Sequence, residues 1–515
     1  MTSPLPPIRY PALAALLLGA IAATGFAPLE LWPLTLVGFA AWLALVHRAP
    51  TLRRTLWLGW AFGVGHFTIN NNWFQHAFDF QDKMPPVLGY FAAVGLALYL
   101  AVYPAIAAAI AWRFGRGART ADLAYALVFA AAWIATEWLR GVMFTGYAWD
   151  PLAVVWLPRI GIARLGAWIG TYALSGVTVL AAGTLLLVRR RIAIPAAAAA
   201  LLAVAAASAR WTDAPPPRAG TPLVRVVQPD IAQNERGEDD GERVLDALAA
   251  LSGRPGAVPR LVVWPEGVVR DFLEDGYPRY VYGAASPGYT RWRLARLLGP
   301  RDMMLTGGTA LRFDDTGTVV GASNSVFAIT PRARLAARYD KAHLVPYGEY
   351  LPLPWLLRPL GLARLVPGDI DFDDGPGPRS LAIPGFGSIG VQICYEIIFS
   401  GHVVDAARRP RLLFNPSNDA WFGSWGPPQH LAQARMRAIE EGLPIVRATP
   451  TGISAVIAAD GRIVAAVPHE RAGAIEVPIP PALVPTLFAR MGNRMALVAI
   501  LAFAFLAVAI RRRAR

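Results

Sequence analysis

The chain has 515 residues, 55% of them hydrophobic and 16% charged, with a formal net charge of +14 and a mean hydropathy of +0.39. That is too apolar for a soluble enzyme of this length, so a membrane protein is expected. The positive charge does not signal nucleic acid, because the Arg residues cluster beside apolar runs and no base-reading motif or separate basic domain accompanies them. A single cysteine, Cys394, leaves no internal disulfide and no metal site built on several thiolates.

Eight apolar runs approach the roughly 20 residues that cross a hydrocarbon core. They lie at about 10–28, 32–48, 56–72, 87–112, 121–139, 161–188, 192–209 and 491–510. The first is read as a span and not as a cleaved signal peptide, since further spans follow it. Arg48, Arg53 and Arg54 fall between spans two and three, Arg113, Arg116 and Arg119 between four and five, Arg189 to Arg191 between six and seven, and Arg511 to Arg513 with Arg515 after span eight. Because cytoplasmic loops retain Lys and Arg, both termini are expected in the cytoplasm of an inner-membrane protein. The long segment between spans seven and eight then falls in the periplasm. Within span five, Glu137 and Arg140 are spaced i, i+3 and are expected to pair.

Residues 1–210 are thus read as spans one to seven and 211–220, with Pro215 to Pro217, as a stiff linker. Residues 221–480 form the outer domain, and 481–515 carry the last span and a basic tail. In the outer domain, short apolar runs bounded by Pro, Gly and Asp read as strands: Leu223 to Gln228, Arg260 to Trp264, Met303 to Gly307, Ser325 to Ile329, Gly387 to Ile393, Arg411 to Phe414 and Ser454 to Ala458. Helical stretches at Glu242 to Leu251, Tyr289 to Leu298 and His430 to Glu441 intervene, so one α/β domain is expected.

Three patches in this domain carry chemistry. Glu266 follows a strand that Pro265 ends, and Cys394 ends another strand just before a helical turn expected to begin near Tyr395. Lys341 opens a Pro- and Gly-rich loop running to Pro354. A carboxylate beside a thiol can take its proton, and a nearby ammonium favours first the thiolate and then a tetrahedral oxyanion. Taken singly, each residue has a blander explanation: a solvated strand end, a surface lysine, a small buried hydrophobe. A Cys-His pairing through His343 is disfavoured beside Glu266 and Lys341, and Asn418-Asp419 reads as a turn after a strand.

Residues 261–266 (LVVWPE), 341–350 (KAHLVPYGEY), 392–397 (QICYEI), 417–423 (SNDAWFG) and 429–440 (QHLAQARMRAIE) resemble the nitrilase, or carbon-nitrogen hydrolase, superfamily. Together with eight spans and the domain between the last two, they resemble the bacterial apolipoprotein N-acyltransferases over the whole chain. The resemblance implies an αββα sandwich and a catalytic triad of Glu266, Lys341 and Cys394. It implies supporting roles for Glu349, for Tyr395 and Glu396, and for Asn324. It further implies ping-pong acyl transfer from a membrane phospholipid, through a Cys394 thioester, to the N-terminal amine of a diacylglyceryl apolipoprotein. No cofactor or metal is implied, and a monomer is expected. Pro450 and the stretch Gln228 to Gln233 depart from the family's pattern.

The alternatives are a membrane-anchored nitrilase-type amidase that hydrolyses its thioester with water, and a transporter or lipid-binding protein that needs no triad. Eight spans in place of one anchor favour acyl transfer between lipid substrates, since each exposed methylene costs about 0.8 kcal/mol. The site is therefore expected to open towards the membrane surface. Leu351 to Leu357 and Ala420 to Phe422 are candidates to line its mouth, or else simply to pack.

Overall fold

The computed structural model describes residues 9–80, 84–117, 120–187, 213–235, 240–283, 285–361, 364 and 371–513, together with 196, 199 and 203. The chain divides into two units. One comprises Met1–Phe74, Tyr90–Trp211 and Arg490–Arg515; the other comprises Thr212–Ala489 together with the segment Gln75–Gly89.

The first unit is helical. Helices occupy Pro11–Ala23, Trp32–Arg48, Leu52–Asn70, Leu88–Leu100, Val102–Ile110, Leu123–Val142, Gly166–Leu185 and Arg494–Arg513. Prolines enter the first turn of the first two, where a missing N–H costs nothing. Thr51 and Asp122 cap others, accepting from the N–H of Arg54 at 3.2 Å and of Tyr125 at 2.8 Å. Helices Pro11–Ala23 and Leu52–Asn70 cross with backbones so close that a Cβ at Gly19 or Gly65 would run into the other helix.

Among the described residues, Leu88–Gly115, Leu123–Val142, Gly166–Leu185 and Arg494–Arg513 are long and apolar enough to cross a membrane. The expected first span is shorter, with 13 helical residues. The expected sixth, 161–188, holds the long apolar helix Gly166–Leu185, within which Gly170 adopts φ 77°. The expected seventh, 192–209, lies outside the described residues apart from isolated positions. Glu137 and Arg140 do not pair with each other as expected. Glu137 Oε1 accepts from the Trp133 indole at 3.1 Å and the Leu152 N–H at 2.8 Å, while Arg140 donates to the Trp149 carbonyl at 2.7 Å. Each side chain thus bonds a backbone group beyond its helix, where such groups need partners.

The second unit contains two six-stranded sheets. The first, ordered β12-β1-β2-β3-β4-β5, is built from β1 (Leu223–Gln228), β2 (Arg260–Val263), β3 (Met303–Phe313), β4 (Val319–Ile329), β5 (Leu335–Asp340) and, pairing back onto β1, β12 (Gly473–Pro478). The second, ordered β11-β10-β9-β8-β7-β6, holds β6 (Ser380–Ile383), β7 (Gly387–Val391), β8 (Leu412–Pro416), β9 (Ile445–Ala448), β10 (Ser454–Ile457) and β11 (Ile463–Val467). In each sheet three central strands run parallel, β1, β2 and β3 in one and β7, β8 and β9 in the other.

Period-two alternation builds the layers. Val224, Val226, Leu261, Val263 and Leu305 share one core with Ile389, Val391, Leu412, Phe414 and Val446 of the other sheet. Val262, Trp264, Met304 and Phe327 face the opposite way, onto Val244, Leu245 and Leu248 of helix Gly241–Ser252 and Leu294 of helix Pro287–Ala295. Helix Gly426–Glu441 lies by β9 of the second sheet. Every strand expected from the sequence is present. Five more, β5, β6, β9, β11 and β12, were not anticipated, among them the strand that delivers Lys341.

Candidate active site

Each residue singled out in the sequence leaves a strand where the ladder stops. The Trp264 N–H still bonds the Leu305 carbonyl at 2.9 Å, and the Pro265 carbonyl still accepts from Gly307 at 3.2 Å, so Glu266 is the first residue off β2. Gly307 passes so near Pro265 to Gly267 that a Cβ there would have no room. Asn324 sits within β4, and its carbonyl takes the N–H of Lys341 at 2.9 Å, placing that lysine directly after β5. Cys394 follows β7 by two residues and opens a 3-10 helix over Cys394–Ile398.

Around Lys341 the polar atoms converge. Its ammonium lies 3.0 and 2.9 Å from the two oxygens of Glu349 and 3.6 Å from Oε1 of Glu266. Asn324 Nδ2 bridges the two carboxylates, donating to Glu266 Oε1 at 2.7 Å and Glu349 Oε1 at 3.1 Å. The Val345 N–H fills Glu349 Oε2 at 2.9 Å. With Lys341 only 1% exposed, this is a dry cluster. Burial alone would lower the lysine's pKa, but the carboxylates of Glu349 and Glu266 outweigh it and hold the pKa above its usual value. Burial pushes the Glu266 carboxyl up, opposed by Lys341 and reinforced by Glu349.

Cys394 is 5% exposed and adopts φ 51°, a left-handed conformation that stores strain in a residue with a Cβ. Burial raises its thiol well above the usual value, the Glu266 carboxylate adds to this, and Lys341 opposes it. The thiol also acts on the Glu266 carboxyl as a hydrogen-bonding partner, and Glu266 Oε2 has no nitrogen or oxygen donor among the described residues. A neutral thiol beside a carboxyl with a spare oxygen can pass its proton across when an electrophile arrives.

Glu396 locks the strained corner. Its Oε2 accepts from the Ile393 N–H at 2.6 Å, and its Oε1 from the N–H groups of Ala342 at 2.7 Å and His343 at 3.1 Å. The Tyr339 hydroxyl completes it at 3.0 and 3.2 Å. One buried carboxyl thus ties the Cys394 corner to the Lys341 loop across the two sheets; burial brings its pKa up to about 7 against the pull of the Ile393 N–H. Tyr395 is buried with its ring edge-on to Phe399 at 5.1 Å, and the ring of His343 lies 4.0 Å from that of Phe399. His343 therefore contributes a backbone donor and a packing surface.

A second buried network lies on the far side of Cys394, and sequence reading missed it. The His430 ring is 3.1 Å from the Cys394 carbonyl through Nε2 and 3.0 Å from Asp419 Oδ1 through Nδ1. Arg447, in β9, grips both Asp419 oxygens at 2.7 and 2.6 Å and bonds Ser417 and Asn415. Asp419, expected in a plain turn, is fully buried; burial would raise its pKa, but Arg447 and His430 bring it down to about 2. The nearest available signal was the two histidine- and asparagine-bearing patches 417–423 and 429–440.

The expected mouth segments behave differently from each other. In the first, Leu351 is buried, whereas Leu353, Leu356 and Trp355 are exposed, the last by 73%. In the second, Phe422 packs on the core between the sheets and lies 5.7 Å from the His430 ring. Trp421 meets the edge of Phe80, from the Gln75–Gly89 segment, at 5.4 Å. The two departures from the family pattern touch one another: the N–H of Asp230 donates to the Pro450 carbonyl at 2.8 Å.

Comparison with known proteins agrees with this architecture. Residues 18–184 match the family described as Apolipoprotein N-acyltransferase N-terminal domain, and residues 223–487 match Carbon-nitrogen hydrolase. The chain is 34% identical over 493 residues to the Apolipoprotein N-acyltransferase of Caulobacter vibrioides, covering 92% of this chain and 89% of that one. It is 33% identical over 552 residues to that of Ralstonia nicotianae, covering 99% and 95%, and 34% identical over 519 residues to that of Bradyrhizobium diazoefficiens, covering 98% and 95%. With relatives of that identity matched nearly end to end, the chain belongs to the apolipoprotein N-acyltransferase family, its second unit being a carbon-nitrogen hydrolase domain.

Proposed function

We propose that this protein transfers a fatty acyl chain from a membrane phospholipid to the N-terminal amine of a diacylglyceryl apolipoprotein, by a ping-pong route through a thioester on Cys394. The observation that carries the reading is the convergence on one buried thiol of the Glu266 carboxyl, with an oxygen to spare, and the Lys341 ammonium. In the first half-reaction Glu266 takes the thiol proton as sulfur attacks the ester carbonyl. Lys341 and the Tyr395 N–H hold the oxyanion, the C–O bond breaks, and Glu266 returns its proton to the departing lysophospholipid.

In the second half-reaction the α-amine of the acceptor attacks the thioester. Glu266 carries the amine proton to the leaving sulfur, and an amide remains. Glu349 and Asn324 hold Lys341 and Glu266 in register, and Glu396 holds the corner. The Arg clusters support cytoplasmic termini with the catalytic unit on the periplasmic side. The exposed apolar residues Leu353, Trp355 and Leu356 suit a mouth that receives acyl chains.

Intact-mass measurement of the purified chain incubated with phospholipid alone tests the reading. A single added acyl group, absent in Cys394→Ala, is expected, and adding an amine-bearing acceptor should discharge it as amide. Discharge to free fatty acid at the same rate without acceptor would identify a hydrolase instead.

A further inference from the structure

His430 is fully buried, its Nε2 meets the backbone carbonyl of Cys394, and it touches neither Glu266 nor Lys341 in any contact described above. Its surroundings place the hydrogen on Nε2. A carbonyl only accepts, so the 3.1 Å contact with the Cys394 carbonyl requires a hydrogen on Nε2. At Nδ1 two neighbours meet the ring, Asp419 Oδ1 at 3.0 Å, which only accepts, and Arg447 Nη2 at 3.1 Å, which only donates. The Cys394 carbonyl therefore places a hydrogen on Nε2, while Nδ1 is held between a carboxylate and a guanidinium. Asp419, gripped by the same guanidinium, fixes where Arg447 stands. Asn415 reinforces the arrangement, donating to the Gln392 carbonyl at 2.6 Å and to that of Cys394 at 3.4 Å.

The carbonyl that His430 holds belongs to the peptide joining Cys394 to Tyr395. That peptide is planar and trans, so its C=O and N–H point in opposite directions. Holding the carbonyl down on His430 therefore aims the Tyr395 N–H the other way.

We propose that His430 is a positioning residue for the oxyanion: by anchoring the Cys394 carbonyl it orients the Tyr395 N–H toward the tetrahedral intermediate, with Asp419 and Arg447 holding its ring in place. This rests on the acyl-transfer reading above. It separates two properties of the sulfur. Attack on an ester carbonyl makes an oxyanion and needs the Tyr395 N–H in place. Alkylation by iodoacetamide forms the S–C bond as iodide leaves, makes no oxyanion, and needs only the thiol and its base.

The full-length protein in detergent, supplied with phospholipid, is assayed for both rates on Cys394 by intact mass. His430→Leu is expected to slow acylation by on the order of 10²-fold, the cost of one misplaced oxyanion donor, while alkylation stays within about twofold. His430→Gln, whose amide nitrogen reaches as far as Nε2, should recover most of the acylation. Should the Leu variant not fold, His430→Asn keeps a polar partner for Arg447 but falls short of the carbonyl, and should show the same selective loss. Acylation and alkylation falling together, or acylation unchanged in Leu and Asn variants, overturns the proposal while leaving the acyl-transfer reading intact. A wild-type chain that alkylates but never gains an acyl group overturns both.

Discussion

The polar cluster carried by β2, β4 and β5 and the one carried by β8, β9 and helix Gly426–Glu441 both press on Cys394, yet they use their atoms differently. On the His430 side both oxygens of Asp419 and both ring nitrogens of His430 are engaged. On the Lys341 side one ammonium serves two carboxylates, and Glu266 keeps an oxygen without a nitrogen or oxygen donor. A buried network whose acceptors are all filled resists change, because movement breaks bonds that water does not replace. A network with an acceptor left over can take up a proton. On the acyl-transfer reading proposed above, the difference separates scaffold from reacting groups.

The largest break in that comparison comes from removing the shared cation. Lys341→Met would leave Glu266 and Glu349 buried side by side with no positive partner, and should cost about 3–5 kcal/mol of stability as well as all measurable acylation. Calorimetry should show the deficit shrinking as pH falls, since protonating either carboxyl removes buried charge. A Met variant as stable as wild type at pH 8 would mean the carboxylates do not depend on Lys341.

Glu266→Gln tests the spare oxygen itself. The charge near Lys341 is lost but the shape is kept, so the fold should survive while thioester formation drops by roughly 10²–10⁴-fold. The pH profile sharpens the point. The working form is the carboxylate, and burial raises its pKa above the ordinary 4.5. The protonated, inactive form therefore persists to higher pH than for a solvated glutamate, and the acid limb of acylation should lie above 4.5 in wild type and vanish in the Gln variant's residual rate. A limb at or below 4.5 would assign the proton transfer elsewhere.

How much of this was legible in the sequence depends on whether the signal is local. Apolar runs ending in Trp264-Pro265-Glu266 and Ile393-Cys394 announce both strand and candidate site, because a polar residue just off a buried strand leaves the run intact. β5 (LAARYD) and β9 (IVRA) do not read as strands, since each carries charge in its interior. Arg447 is tolerated in β9 only because Asp419, 28 residues earlier, neutralises it, and such a partner is invisible to a sliding window. Glu137 and Arg140 show the reverse error: their i, i+3 spacing suggested a pair, but the following turn offered each a better partner.

The smallest effect concerns Glu396, which belongs to neither cluster and holds them in register. Glu396→Gln replaces Oε2, the acceptor of the Ile393 N–H, by a donor, leaving a buried N–H unmatched one residue before the thiol. Such a loss costs about 1–3 kcal/mol. Its pH dependence has a definite sign. The carboxyl's pKa is about 7 in the fold against 4.5 for a free glutamate. Between those values the folded wild type binds more protons than the unfolded chain, so its extra stability is complete below 4.5 and is lost as pH rises to 7, by roughly 3 kcal/mol at most. Glutamine has no such titration. The stability gap between wild type and Glu396→Gln should thus be widest in acid and close above pH 7, which thermal unfolding across that range would reveal. A gap that widens with pH would mean the backbone donors around Glu396 outweigh its burial, placing this carboxylate with the saturated scaffold and not between the two clusters.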